Sequence, residues 1–348
     1  MKQGKCINMN TIFQEWLESG IQLRLKESTV AMYVRIYEAY IGPYWGDIEP
    51  CRITQERMNQ YVSLLLKTGC KSEKGGLSAK SVNDILTLLS GLLGYAAKQG
   101  YLPQSISIPR PKNQKKAIHI LTNAERTVLE QYCLNHLDLI TGAILLDLYT
   151  GLRIGELCAT VKSYVDFSSR ALQVKKTMQR IKDLEGIRKT KVILDTPKTA
   201  SSLRQIPIAS YVFDKLEGLY QDLKPEAYLL TGSSSKWIEP RTMEYHFKQT
   251  LLKAGLEPVN FHALRHTFAT NFYYETLDVK TLSELLGHSS VAITYETYVH
   301  ASLEVKRMGI EKIIPKASFR TCRKVMYFAI REFYIRMEWY TCYGKLMN

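Results

Sequence analysis

The 348-residue chain is long enough for two ordinary domains, and its 45% hydrophobic content suits a globular protein with a sizeable core, which excludes a disordered chain. With 47 Lys+Arg against 33 Asp+Glu the net charge is +14, so a polyanionic partner is expected, nucleic acid ahead of an anionic membrane surface. A transmembrane span is excluded because the most apolar stretch, 86–97, is broken by Ser90, Gly91 and Gly94, and residues 1–10 lack the apolar region of a signal peptide.

From residue 11 to about 100, apolar residues recur at helical spacing, as in Ile85, Leu86, Leu89, Leu92 and Leu93, and turn signals such as Gly42-Pro43 separate the runs. The pattern predicts a bundle of about four helices. Residues 102–117 hold three prolines and the basic run 112–116, which reads as a linker and places a domain boundary there. Thr122 is an expected helix N-cap, and 137–149 predicts a helix running into Gly151. Segments 172–181, 191–196 and 204–208 favour strands, with turns at 183–186 and 198–202, and predict one small antiparallel sheet. Helices resume at 209–220, 240–254, 263–274, 279–286 and from 291. The fold class is therefore mainly α with a small antiparallel β-sheet. Seven scattered cysteines without a C-x-x-C pair read as reduced thiols of a cytosolic protein.

Five short segments carry chemistry. In 150–157, TGLRIGEL, a Gly turn presents Arg153 with Glu156 three residues on and on the same helical face. In 196–199, TPKT, Lys198 sits in a turn between predicted strands. In 262–266, HALRH, His262 and Arg265 share a face of a helix that Asn260 is placed to cap; the His262/His266 pair lacks the glutamate of an H-E-x-x-H zinc site, so no metal is expected. In 285–290, LLGHSS, Gly287 ends one helix and fixes His288 at a corner. In 294–300, TYETYVH, two tyrosines lie in a short polar segment. Alone, each reads as ordinary surface structure.

Taken in order, the five segments resemble the motifs of the tyrosine recombinase (phage integrase) family: T-G-x-R-x-x-E-L, a hairpin lysine, H-x-L-R-H, L-G-H and Y-x-H. The resemblance spans about 118–314. It implies an N-terminal extension at 1–9, a helical core-binding domain at 10–101, the linker, an α+β catalytic domain at 118–316 and an atypical tail at 317–348. It also implies a catalytic set of Arg153, Lys198, His262, Arg265, His288 and Tyr298, supported by Glu156. Tyr298 is preferred to Tyr295 because it stands two residues before His300 and about ten after L-G-H.

On that reading the arginines grip a phosphate with planar forks of donors and favour the Tyr298 phenolate. Lys198 protonates the leaving 5′ oxygen, His262 acts as acid or base near the tyrosine, and His288 donates a hydrogen bond to the phosphate. The implied enzyme is a site-specific recombinase that passes through a 3′-phosphotyrosine and a Holliday junction as a homotetramer on double-stranded DNA. It uses no ATP, metal or other cofactor, works with accessory DNA-bending or directionality proteins, has no membrane partner, and is cytoplasmic and nucleoid-associated. The alternatives are a DNA-binding regulator that has lost catalysis, a metal-dependent nuclease using His262 and His266, and a topoisomerase of the tyrosine type. Residues 302–316 have the right length to dock on a neighbouring subunit, and 317–348 read as a second docking helix or as a poorly ordered end.

Overall fold

In the computed structural model the described residues are 7–21, 24–69, 75–102, 106–113, 119–196, 202–298 and 310. The first helices are α1 (Met9–Trp16), α2 (Glu27–Ile36), the short α3 (Gly42–Trp45), α4 (Gln55–Thr68) and α5 (Ala79–Lys98). Asn8, Thr54 and Ser78 start α1, α4 and α5 by accepting a hydrogen bond from the backbone N–H three residues on. The amphipathic α5 is the spine of this bundle. Its buried Val82, Ile85, Leu86, Leu89, Leu92 and Leu93 pack with Ile12, Trp45, Met58 and Tyr61 in one apolar cluster.

A second cluster begins at Leu121. Thr122 and Glu125 form a reciprocal capping box that opens α6 (Asn123–Asn135), as expected for Thr122. Helix α7 (Leu139–Thr150) is mostly apolar with no polar face, and nearly all of it is buried, so it serves as the central rod of this half. Around it lie α8 (Ile154–Cys158), α9 (Ser210–Tyr220), α10 (Pro240–Lys253) and α11 (His262–Thr276), followed by α12 (Val279–Leu286) and α13 (Val291–Tyr298).

The predicted single sheet is two. Strands β1 (Val165–Asp166), β2 (Ala171–Val174) and β5 (Arg204–Pro207) form one antiparallel sheet in the order β1-β2-β5, while β3 (Thr177–Lys182) and β4 (Thr190–Asp195) form a separate hairpin. The predicted strand 172–181 is interrupted at Lys175 and Lys176, which are exposed and leave the first sheet before the hairpin begins. Asp183 closes the hairpin turn by accepting from the backbone N–H groups of Glu185 and Arg188. The hairpin leans on α2 and the residues flanking it through ion pairs Lys26–Asp195, Lys191–Glu27 and Lys182–Glu38.

Asn260 does not cap α11 with its side chain. Its carbonyl accepts from Ala263, and Glu244 on α10 accepts from the Phe261 N–H instead, tying the start of α11 to its neighbour. Gly151, at φ 61, ends α7 in the left-handed region, and a Cβ there would lie 2.5 Å from a ring carbon of Phe268. We expect Gly151→Ala to lower the free energy of unfolding by about 2 kcal/mol or more, combining left-handed strain with overpacking. Urea unfolding monitored by tryptophan fluorescence measures the shift.

Candidate active site

Helix α12 ends at Gly287, whose φ of 63 turns the chain and leaves the last carbonyls of the helix without intrahelical partners. Three arginines from three elements take three of these carbonyls in succession. Arg204 on β5 donates from Nε to the Leu285 carbonyl at 2.6 Å, and Arg265 on α11 donates from Nη2 to that of Leu286 at 2.7 Å. Arg153, the residue before α8, donates from Nη2 to that of Gly287 at 3.2 Å. A Cβ at Gly287 would stand 2.9 Å from Nη1 of Arg204, so both the backbone angle and the guanidinium require glycine.

Arg153 and Arg204 also share Glu156. The carboxylate accepts from the Arg153 backbone N–H at 2.9 Å and from its Nη1 at 2.8 Å, and from Nη1 and Nη2 of Arg204 at 3.1 and 2.9 Å. Its side chain is only 3% exposed. Burial alone would raise the Glu156 pKa, but the hydrogen bonds and charge of Arg204, joined by Arg153, bring it down to about 2.

Arg265 is 1% exposed. Its hydrogen-bond partners are neutral: the Gly151 carbonyl at 2.7 Å, the Leu286 carbonyl, and Nε2 of His288 at 3.0 Å. Burial and then the nearby charge of Arg153 lower its pKa to about 10, which leaves it a cation at neutral pH. Asp147, buried on α7 near this group, has its pKa pushed well up by desolvation, against the opposing pull of Arg265.

Because Arg265 can only donate, His288 Nε2 accepts, and the ring's hydrogen lies on Nδ1, which is 2.7 Å from Oγ1 of buried Thr294. Burial, followed by the charges of Arg265 and Arg153, lowers the His288 pKa to about 4 and keeps it neutral. Both His288 nitrogens are engaged within the protein in this arrangement, Nε2 with Arg265 and Nδ1 with Thr294.

Tyr298 is buried, 7% exposed, whereas Tyr295 is 57% exposed. The Tyr298 ring lies parallel to that of His288 at 6.5 Å, and its hydroxyl is 2.9 Å from Nδ1 of His266. Burial raises the Tyr298 pKa and outweighs the opposing pull of Arg265 and Arg153. The arginines pull toward the phenolate, the direction expected of them, but burial is the larger effect. His262, at the first turn of α11, sets its ring edge-on to His266, with centroids 4.7 Å apart. Lys198 and His300 lie outside the described residues. Asp195, Thr196 and Ser202, which flank the segment containing Lys198, line a 520 Å³ cavity with Arg153, Gly287 and His288.

The structure thus brings Arg153, Glu156, Arg265, His288 and Tyr298 to one end of α12, with His262 beside them. Sequence reasoning passed over Arg204, Thr294 and the contact made by His266. An arginine opening a predicted strand carries no pattern, and His266 was weighed only as a metal partner of His262. Among the described residues no three His, Cys, Asp or Glu side chains come together as a metal site.

The model of the phage integrase family matches residues 113–304. The chain belongs to the phage integrase family. It is a site-specific tyrosine recombinase, mainly helical with small antiparallel sheets. It is 26% identical, over 88% of its length and 83% of the relative's, to the tyrosine recombinase XerC-like protein of Caldanaerobacter subterraneus subsp. tengcongensis. It is 25% identical to the transposase from transposon Tn916 of Enterococcus faecalis, over 58% of this chain and 51% of that one. Its fold is similar to that of the Tn1549 transposon integrase in complex with a circular intermediate DNA, with a TM-score of 0.69 at 20% identity, covering 88% of this chain and 99% of that one. The lambda integrase tetramer bound to a Holliday junction gives a TM-score of 0.59 at 17% identity, covering 86% and 80%.

Because the Glu156 pKa falls from the ordinary 4.5 to about 2 on folding, its contribution to stability is complete above pH 4.5 and is lost as the pH falls through about 2. We expect Glu156→Gln to lower the unfolding free energy by about 3 kcal/mol at pH 7, with the gap to wild type closing between about pH 4.5 and 2. Urea unfolding across that range measures both.

Proposed function

We propose that this recombinase cuts and rejoins double-stranded DNA with Tyr298 as nucleophile, and that residues 10–101 and 118–316 act as two domains closing around the duplex. The observation that carries the reading is a buried tyrosine hydroxyl at the same helix end that holds three guanidinium groups against one carboxylate. Two positive charges remain unneutralised in that count, matched to the non-bridging oxygens of a phosphodiester under attack.

In the forward step the tyrosine oxygen bonds to phosphorus as the bond from phosphorus to the 5′ oxygen breaks. Arg153 and Arg265 offset the charge that grows on the non-bridging oxygens. Lys198 supplies the proton taken up by the departing 5′ oxygen. Arg204 and Glu156 position Arg153, His288 positions Arg265, and His262 adds a further acid or base at the rim. The product is a 3′-phosphotyrosine and a free 5′ hydroxyl. A 5′ hydroxyl from a second duplex then attacks, tyrosine leaves, and the strand is resealed with the phosphoester retained, so the reaction requires no ATP.

Two such exchanges between paired sites pass through a Holliday junction held by a tetramer, an arrangement supported by the lambda integrase complex of related fold. Phosphate contacts dominate DNA affinity, which falls steeply with salt for a chain of charge +14. Directionality in that scheme comes from accessory DNA-bending proteins.

A nicked suicide duplex carrying the attachment site, resolved by denaturing electrophoresis with and without EDTA, tests the proposal. A covalent protein–DNA band that survives EDTA, disappears in Tyr298→Phe and persists in Tyr295→Phe is expected. An adduct that still forms in Tyr298→Phe rules out Tyr298 as nucleophile.

A further inference from the structure

The Tyr298 hydroxyl must lose its proton as it attacks, and the residue in contact with it, His266, is not one the family motifs assign to that task. We propose that His266 is a catalytic residue that accepts the Tyr298 proton through Nδ1 as the tyrosine attacks and returns it when the strand is resealed. The proposal rests on Tyr298 being the nucleophile.

Three observations carry it. The Tyr298 hydroxyl is 2.9 Å from His266 Nδ1, within the reach required of a general base, and the two rings are 5.6 Å apart. Tyr298 is buried, and that burial keeps the phenol protonated in spite of Arg265 and Arg153, so attack needs an acceptor close by. His262, the other candidate, turns its ring at 87° onto His266 and stands one ring further from the tyrosine.

The groups around His266 define its state. His262 and Arg265 flank it on α11, Tyr298 faces it from α13, and the His288 ring lies beyond Tyr298. On α7, Asp147 has its pKa raised by burial against the pull of Arg265, and Arg153 adds its charge to the surroundings of Arg265. Burial, then the neighbouring His262 and the charge of Arg265, lower the His266 pKa to about 4 and keep the imidazole neutral. A neutral ring carrying its hydrogen on Nε2 presents a lone pair at Nδ1 to the tyrosine O–H. A phosphate entering beside Arg265 adds negative charge, which raises the basicity of the ring when it is needed. In the step itself the phenol O–H bond breaks, the proton joins Nδ1, and the oxygen bonds to phosphorus. Lys198 serves the opposite end of the reaction, where the 5′ oxygen leaves.

The test measures single-turnover adduct formation on the suicide duplex from pH 6 to 9 for wild type, His266→Asn and Tyr298→Phe. Asparagine keeps a polar atom near the Nδ1 position but cannot take a proton. The expected result is a rate lower by about 10²–10⁴-fold at pH 7 in His266→Asn, with binding to the same duplex unchanged in gel shift. That rate should rise about tenfold per pH unit while the wild-type rate stays nearly flat, because hydroxide replaces the missing base. A 5′-phosphorothiolate substrate, whose sulfur leaves without a proton, should not restore it. A near-wild-type rate and pH profile, or rescue by the phosphorothiolate, overturns the proposal. Nitrogen-15 NMR of the unaltered histidines gives a reading independent of how His266→Asn folds: an unprotonated Nδ1 at His266 that shifts in Tyr298→Phe supports the assignment, and a protonated Nδ1 overturns it. An adduct persisting in Tyr298→Phe would instead sink the reading on which the proposal rests.

Discussion

The carbonyl end of one short helix organises this site. Helix ends ordinarily give their last carbonyls to water or to a capping residue, and the partial negative charge there favours cations. In this chain Leu285, Leu286 and Gly287 give theirs to Arg204, Arg265 and Arg153. Three long side chains that would otherwise be flexible are fixed by acceptors that carry no formal charge. That difference matters. A carboxylate on each arginine would fix it equally well but would cancel the charge required by a phosphate.

Glu156 is the one exception and its placement explains itself. It neutralises one charge among three while bonding both Arg153 and Arg204, so it sets the spacing of two guanidinium groups at the cost of a single negative charge. Among the described residues Arg265 has no ion pair, and a buried cation without one is expensive. The expense falls on stability and is offset by the surrounding core, in which α7 and α11 are packed over most of their length. What it provides is a set of donors already oriented before any substrate arrives, the arrangement that makes electrostatic stabilisation effective.

Much of this was legible in the residues and some was not. Helix limits followed from caps and periodicity: Thr122 opens α6, Gly151 ends α7 and Gly287 ends α12, because each of those positions has a local physical requirement. Arg153 and Glu156 could be paired from their spacing, since the contact is made within one helical turn. Arg204 could not, because its bonds to Glu156 and Leu285 span 48 and 81 residues and nothing local marks them. The split of one predicted sheet into a sheet and a hairpin was missed for the same reason: β2 pairs with β5 across the whole hairpin, a long-range choice. The place of Tyr298 after L-G-H and the pull of the arginines on its phenol are readable from the residues, whereas its burial, which outweighs that pull, is a property of the fold.

The arginines serve the reaction by offsetting charge, with one carboxylate shared between Arg153 and Arg204 and no ion pair at Arg265 among the described residues. A duplex with a methylphosphonate at the scissile position removes the charge from that phosphate and so removes the need for one guanidinium. Adduct formation by Arg265→Ala should be undetectable on the ordinary duplex and restored on the methylphosphonate duplex. Equal inactivity on both substrates would contradict the account and leave Arg265 a structural residue.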